Sequence, residues 1–106
     1  SGTLEVFATP YMAALMENAA FQSISSYLEE GQSTVGTRLD ISHSSPTPVG
    51  MKVRAESVVT AVEGRKVVFE VKAFDESGPI GSGRHERFII DSDKFMSKCR
   101  LKAPNV

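Results

Sequence analysis

Thr9-Pro10-Tyr11-Met12-Ala13-Ala14-Leu15-Met16-Glu17-Asn18-Ala19-Ala20-Phe21 is the stretch on which the fold turns. Proline at the first helical position gives up a donor that would be unpaired anyway, and threonine is a good N-cap, so Thr9-Pro10 opens a helix. That helix is expected to run from Pro10 to about Leu28 and to stop before Gly31. Its first half is apolar nearly all round, whereas a surface helix shows a polar face, so other structure is expected to wrap it. Around the helix Glu17 falls among Ala13, Ala20, Ile24 and Phe21. A carboxylate on an apolar side is costly without partners and such groups gather at functional sites.

Beyond Gly31 the spacing changes to two. Val35, Thr37, Leu39, Ile41 and His43 alternate with Thr34, Gly36, Arg38, Asp40 and Ser42, which reads as a strand with two unlike faces. Ser44 to Gly50, with Pro46 and Pro48, is a loop, and Met51 to Val62 a second strand. Glu63-Gly64-Arg65-Lys66 is a hairpin tip, Val67 to Phe74 a third strand, Asp75 to Pro79 a turn, and Ile80 to Ile90 a long fourth strand. The tail from Ser92 is short and basic. One early apolar helix followed by antiparallel strands on short turns implies an α+β architecture, the sheet curling around the helix. Four strands leave open edges and an incompletely covered helix, so pairing with a second copy is expected.

The 106 residues make one domain, 1–106, with no room for a separate cofactor or regulatory domain. Twelve Lys plus Arg against thirteen Asp plus Glu give a formal charge of -1 with no basic concentration, which argues against nucleic acid as a partner. The longest apolar-rich stretch, Tyr11 to Phe21, is too short to span a bilayer. A single cysteine, Cys99, forms no internal disulfide, and the cytoplasm is the default compartment. Ser1-Gly2 without a methionine reads as a cloning scar, so residues 1–4 are expected to be that scar or the remnant of a truncated N-terminal segment. No metal is indicated: there are two histidines, and His85-Glu86-Arg87-Phe88-Ile89 lacks the second His of a zincin. Gly81-Ser82-Gly83 completes neither a dinucleotide fingerprint nor a phosphate loop, and glycines in a strand signal a bulge or a close backbone approach.

Taken singly, Thr9 is a helix cap and His43 a strand-end histidine. Together with Glu5-Val6-Phe7-Ala8-Thr9, Leu15-Met16-Glu17, Val35-Gly36-Thr37, His43-Ser44-Ser45-Pro46-Thr47-Pro48, Val62-Glu63-Gly64-Arg65 and Ile80-Gly81-Ser82-Gly83-Arg84-His85-Glu86-Arg87, they resemble one family. It is the fluoroacetyl-CoA thioesterase-like branch of the hotdog superfamily, and the resemblance covers Glu5 to about Pro104. It implies a hotdog fold, an antiparallel sheet wrapped around one long central helix, and a homodimer or higher oligomer acting on acyl-CoA. No cofactor is implied, since coenzyme A is part of the substrate. The resemblance places the catalytic set on Thr9, Glu17 and His43, marks Gly36 as a backbone donor near the thioester carbonyl, and makes Arg87 a weaker substrate-site candidate beside its alternative as an ion-pair partner on the sheet.

The chemistry suits those residue types. A thiolate leaves with a conjugate-acid pKa of roughly 8.5, so thioester hydrolysis scarcely needs a general acid. Histidine, with a pKa near ~6.5, can accept the proton of water or a hydroxyl at neutral pH. Backbone N–H groups at a helix start or a glycine can stabilise the tetrahedral oxyanion. Glu17 either orients water and supports protonated His43 or attacks the carbonyl itself. Thr9 is a nucleophile, a positioner or a cap, and the positioner is favoured because no base adjoins it in sequence. Hydration or dehydration of an acyl thioester, and acyl-CoA binding without catalysis, are the competing readings. Family members carry a lid phenylalanine where this chain has Thr3, so a short- or medium-chain acyl-CoA thioesterase without marked fluoroacetyl preference is expected.

Overall fold

The computed structural model describes residues 2–103; Ser1 and the tail from Pro104, the outermost ends of the expected domain, lie outside the described residues. The elements are α1 (Thr9–Ser25), β1 (Gln32–His43), β2 (Val53–Glu63), β3 (Lys66–Asp75), β4 (Gly78–Asp91) and α2 (Ser92–Arg100). The strands form one antiparallel sheet in the order β1-β4-β3-β2, so the first strand lies beside the last and β1 and β2 are its edges. Two tight turns produce the consecutive pairings. Gly64 sits at φ +63° between β2 and β3, a region L side chains avoid. At the β3–β4 turn the Asp75 carboxylate accepts the backbone N–H groups of Ser77 and Gly78.

Helix α1 lies on one face of this sheet. Met12, Met16 and Ala20, four residues apart, are fully buried against Phe69, Val71, Ala73 and Ile80. Each large side chain so buried contributes on the order of 1.5–3 kcal/mol. The close approach needs Gly81, since a Cβ there would lie 2.6 Å from Met12 Sδ and 2.7 Å from the Ser42 carbonyl oxygen.

As expected of four strands from one copy, the sheet covers only one face of the helix: Tyr11 is 70% exposed and Ala14, Asn18 and Phe21 are also exposed. Three expectations need correction. The helix ends at Ser25 rather than near Leu28, where the Ser23 and Ser25 hydroxyls donate to the carbonyls of Ala20 and Phe21 and compete for the acceptors of the last turn. The tail is a second helix, capped by the Asp91 carboxylate accepting the Lys94 N–H, with Asp93 in the first turn and Lys98 and Arg100 in the last.

The third correction matters most for the site. The register of β1 on β4 slips between Gly36 and Arg38, so Thr37 is an extra residue. Directly opposed residues share a face, and the pairs Thr34–Ile89, Gly36–Arg87, Leu39–His85, Ile41–Gly83 and His43–Gly81 therefore all lie on one side. That side faces the helix, as Ile41 and Ile89 pack on the core. Simple alternation had put Thr34 and Gly36 opposite His43; the bulge brings all three to the same face.

Candidate active site

His43 ends β1 beside Gly81, and the chain after it is tied to β4 by the Ile80 carbonyl, which accepts from the backbone N–H groups of Ser44 at 2.8 Å and Ser45 at 3.2 Å. The chain entering α1 is clasped to the same loop: Phe7 N–H donates to the Thr47 carbonyl at 2.9 Å, and Val6 bridges Pro48. Thr47 is buried and its hydroxyl donates to the Asp75 carboxylate at 2.8 Å. Hydrogen bonds from Thr47 first, then from Ser77 and Gly78, hold the Asp75 carboxyl below the usual carboxylate range against a smaller opposing effect of burial. Loop, helix start and turn thus form one braced unit.

Between helix start and loop lies an open pocket of about 260 Å³, lined by Phe7, Ala8, Thr9, His43, Ser44 and Pro46. Thr9 is not the helix cap. That position belongs to Ala8, whose carbonyl accepts the N–H groups of Tyr11 and Met12, and the Thr9 hydroxyl instead lies 2.8 Å from His43 Nδ1. The edge of the Phe7 ring packs against the imidazole, with centroids 6.4 Å apart. His43 Nε2 is buried with no partner among the described residues. A buried polar atom left unpaired costs about 1–3 kcal/mol, so Nε2 calls for a partner from outside this set of residues. The geometry also supplies what the sequence lacked, a base in contact with Thr9, and so removes the reason for preferring a positioner to a nucleophile.

A second polar cluster lies farther along α1. Arg87 is 7% exposed and its guanidinium is held on three sides. Nε donates to Thr34 Oγ1 at 2.9 Å, Nη2 to the Thr34 carbonyl at 2.9 Å, and Nη1 reaches His85 Nε2 at 3.1 Å. The Phe21 ring lies under it, 5.5 Å from the guanidinium carbon. Burial pushes Arg87 below its ordinary pKa, and the charge of Glu17 opposes that shift. The meeting point is Gly36: a Cβ there would stand 2.9 Å from Glu17 Oε1, 3.1 Å from His85 Cε1 and 3.4 Å from Arg87 Nη1.

The structure therefore joins Thr9 to His43, and Glu17 to Gly36 and Arg87, but it does not join the two groups within one chain. Eight residues of helix separate the Cα atoms of Thr9 and Glu17 by about 12 Å. Along β1, Gly36 and His43 stand roughly 20 Å apart. His85 and Thr34 belong to the second group, and sequence reasoning gave neither a role. The spacing of His85 and Arg87 was a usable signal, because residues two apart on a strand share a face.

Residues 1–93 match the sequence profile of the fluoroacetyl-CoA-specific thioesterases. The chain belongs to this family. It is 42% identical over 100 residues to the fluoroacetyl-CoA thioesterase of Streptantibioticus cattleyicolor, covering 94% of this chain and 72% of that protein. The solved structure of a fluoroacetyl-CoA thioesterase superposes with a TM-score of 0.92 at 41% identity, over 96% of this chain and 76% of the other. A mutant of such an enzyme in complex with fluoroacetate and CoA gives a TM-score of 0.92 at 40% identity, over 98% and 81%. A thioesterase superfamily member from Thermus thermophilus gives 0.89 at 33% identity, over 95% and 74%. The family's fold, the hotdog, is the one observed here: α1 against an antiparallel sheet.

Proposed function

We propose that this protein is an acyl-CoA thioesterase, releasing CoA and a short- or medium-chain acid, and that each active site is assembled from two copies of the chain. The observation that carries the reading is the Thr9–His43 hydrogen bond, with His43 Nε2 left open beside a pocket at the helix start. Membership of the fluoroacetyl-CoA-specific thioesterase family supports thioester hydrolysis.

The face of α1 supports the second part. Thr9, Ala13 and Glu17 recur every four residues and form one stripe, which the sheet does not fully bury. A two-fold axis crossing the helix at Ala13 sets two antiparallel helices together, each Thr9 against Glu17 of the partner subunit. The small Ala13 side chain permits an interaxial distance of about 8–10 Å. The free edge of β1 lies near the Glu17 end of this stripe and offers unpaired backbone groups to a second copy.

In this arrangement His43 accepts a proton from the attacking hydroxyl, that of water or of Thr9, as the new C–O bond forms. Backbone N–H groups at the start of α1 meet the carbonyl oxygen as it gains charge, and the carboxylate across the interface supports the imidazolium. The C–S bond then breaks and CoA leaves as a thiolate that needs little protonation. Thr9 attack passes through an acyl-enzyme that water then hydrolyses; direct attack by water avoids it.

The test is complementation. His43→Ala and Glu17→Gln are each expected to lower kcat by at least about a hundredfold. When the two variants are denatured, mixed and refolded, half the dimers are mixed and each regains one intact site, so activity returns to about a quarter of parental. Mixtures no more active than the separate variants would refute the shared site. Absence of free CoA from parental protein supplied with short acyl-CoAs would refute hydrolysis itself.

A further inference from the structure

The His85 imidazole is 1% exposed, stacks on Phe69 with centroids 6.1 Å apart, and is fastened at both nitrogens. Nδ1 lies 2.7 Å from the Arg38 carbonyl oxygen, which can only accept, so Nδ1 carries the proton. Nε2 lies 3.1 Å from Arg87 Nη1, which can only donate, so Nε2 is bare. The two neighbours fix one neutral tautomer. A second proton on this ring would place an N–H against a guanidinium N–H in a buried site.

The tautomer has a use. A guanidinium carries five N–H donors, and here Thr34 takes two and His85 Nε2 a third. Nη1 and Nη2 keep one donor each, and Nη1 faces the space over Gly36 that Glu17 Oε1 enters from the helix. Among the described residues, Thr34 takes the hydrogen bonds on the Nε and Nη2 side of the fork, and His85 is the sole hydrogen-bond partner on the side that faces Gly36 and Glu17.

We infer that His85 is a positioning residue, an imidazole held in its Nδ1-protonated tautomer, whose Nε2 fixes the free Nη1 donor of Arg87 over Gly36 and opposite Glu17. It acts through Arg87 and touches no reacting atom. The inference rests on the proposed site insofar as Arg87 and Glu17 serve the reaction.

A double-mutant cycle with two rescue variants tests it. His85→Phe keeps the stack and loses both hydrogen bonds; it is expected to lower kcat/KM by at least about tenfold, the scale of one hydrogen bond to a charged group. His85→Gln, whose amide oxygen reaches the place of Nε2, is expected to recover most of that loss, whereas His85→Asn, which mimics only Nδ1, is not. In an Arg87→Met background His85→Phe is expected to cost nothing further, since the residue it positions is gone. Additive losses in the cycle, equal defects in the Gln and Phe variants, or parental activity for His85→Phe would each overturn the inference. Nitrogen-15 chemical shifts give a readout independent of turnover: the His85 ring should show the proton on Nδ1 and a bare Nε2. The opposite tautomer, with the proton on Nε2, would overturn the inference even if the enzyme reading stands. Intact shifts with no hydrolysis by the parent would leave the tautomer correct and refute the positioning role together with the proposed reaction.

Discussion

Substituting Gly36 by alanine separates the site from the fold. The backbone at Gly36 lies outside the left-handed region, so alanine fits it, and exchanging a strand glycine for alanine gains about 0.5–1 kcal/mol. The new methyl would stand 2.9 Å from Glu17 Oε1 and 3.1 Å from His85 Cε1, where ordinary contact begins near 3.4 Å, so the carboxylate must withdraw by about 0.5 Å and the imidazole give by about 0.3 Å. Glu17 lies at the end of a flexible side chain and can do so without moving the backbone. A misplacement of about 1 Å costs on the order of a hundredfold in rate, so half that distance predicts a loss of about tenfold in kcat/KM. The assay is CoA thiol release from a short acyl-CoA, run beside thermal unfolding of the same preparations. Tm should change little, the gain from replacing a strand glycine offsetting the crowding of His85, while kcat/KM falls. Gly83→Ala is the control of opposite kind: its methyl would come within 2.1 Å of the Asp40 carbonyl oxygen, a backbone atom that cannot yield, and the sheet should fail. Parental kcat/KM in Gly36→Ala, or a rate loss matched by a drop in Tm, would refute the argument that this notch holds a working carboxylate.

Thr9→Ser keeps the hydroxyl 2.8 Å from His43 and should retain far more activity than Thr9→Ala; equal rates would reduce Thr9 to a structural element. Asp75→Asn should lower Tm at neutral pH. Because the folded carboxyl titrates below its unfolded value, its contribution is complete above about pH 3.9 and is lost as pH falls through the folded pKa, so the two Tm curves should converge in acid; a gap that stays constant would count against it. Across a panel of acyl-CoAs, the exposed Thr3 offers no aromatic cover for the acyl group, and fluoroacetyl- and acetyl-CoA should differ in kcat/KM by far less than a thousandfold.

The sequence made the large elements legible because each has a strong local cause. Thr9-Pro10 starts a helix within one residue of the observed start, and four alternating runs punctuated by glycine and proline become the four strands. The site was legible in part. Thr9, Glu17 and His43 stand out in the sequence as candidates, but which of them meet within a chain does not, because the contact of Thr9 with His43 spans 34 positions and arises from the clasp between the helix entry and the loop after β1. An apolar circumference says that something must cover α1 and not which chain does so, and the sheet of one copy covers a single face. The second helix was passed over because its basic composition masked an ordinary cap, Asp91 with Lys94.

The bulge at Thr37 sets a rule of parity for β1. In an unbroken strand two side chains share a face only when an even number of positions separates them, and Gly36 and His43 are seven apart. One extra residue turns that odd interval into agreement. Removing Thr37 alone would leave every remaining residue chemically intact, yet it would turn one half of β1 over, sending either His43 or Gly36 to the solvent side of the sheet. The same loss would follow a single insertion anywhere between them, whereas a paired insertion and deletion could pass. The strand thus works as a counted ruler between two half-sites on one face, each completed in the proposed dimer by the partner subunit, and length variation within it should be tolerated only in steps of two.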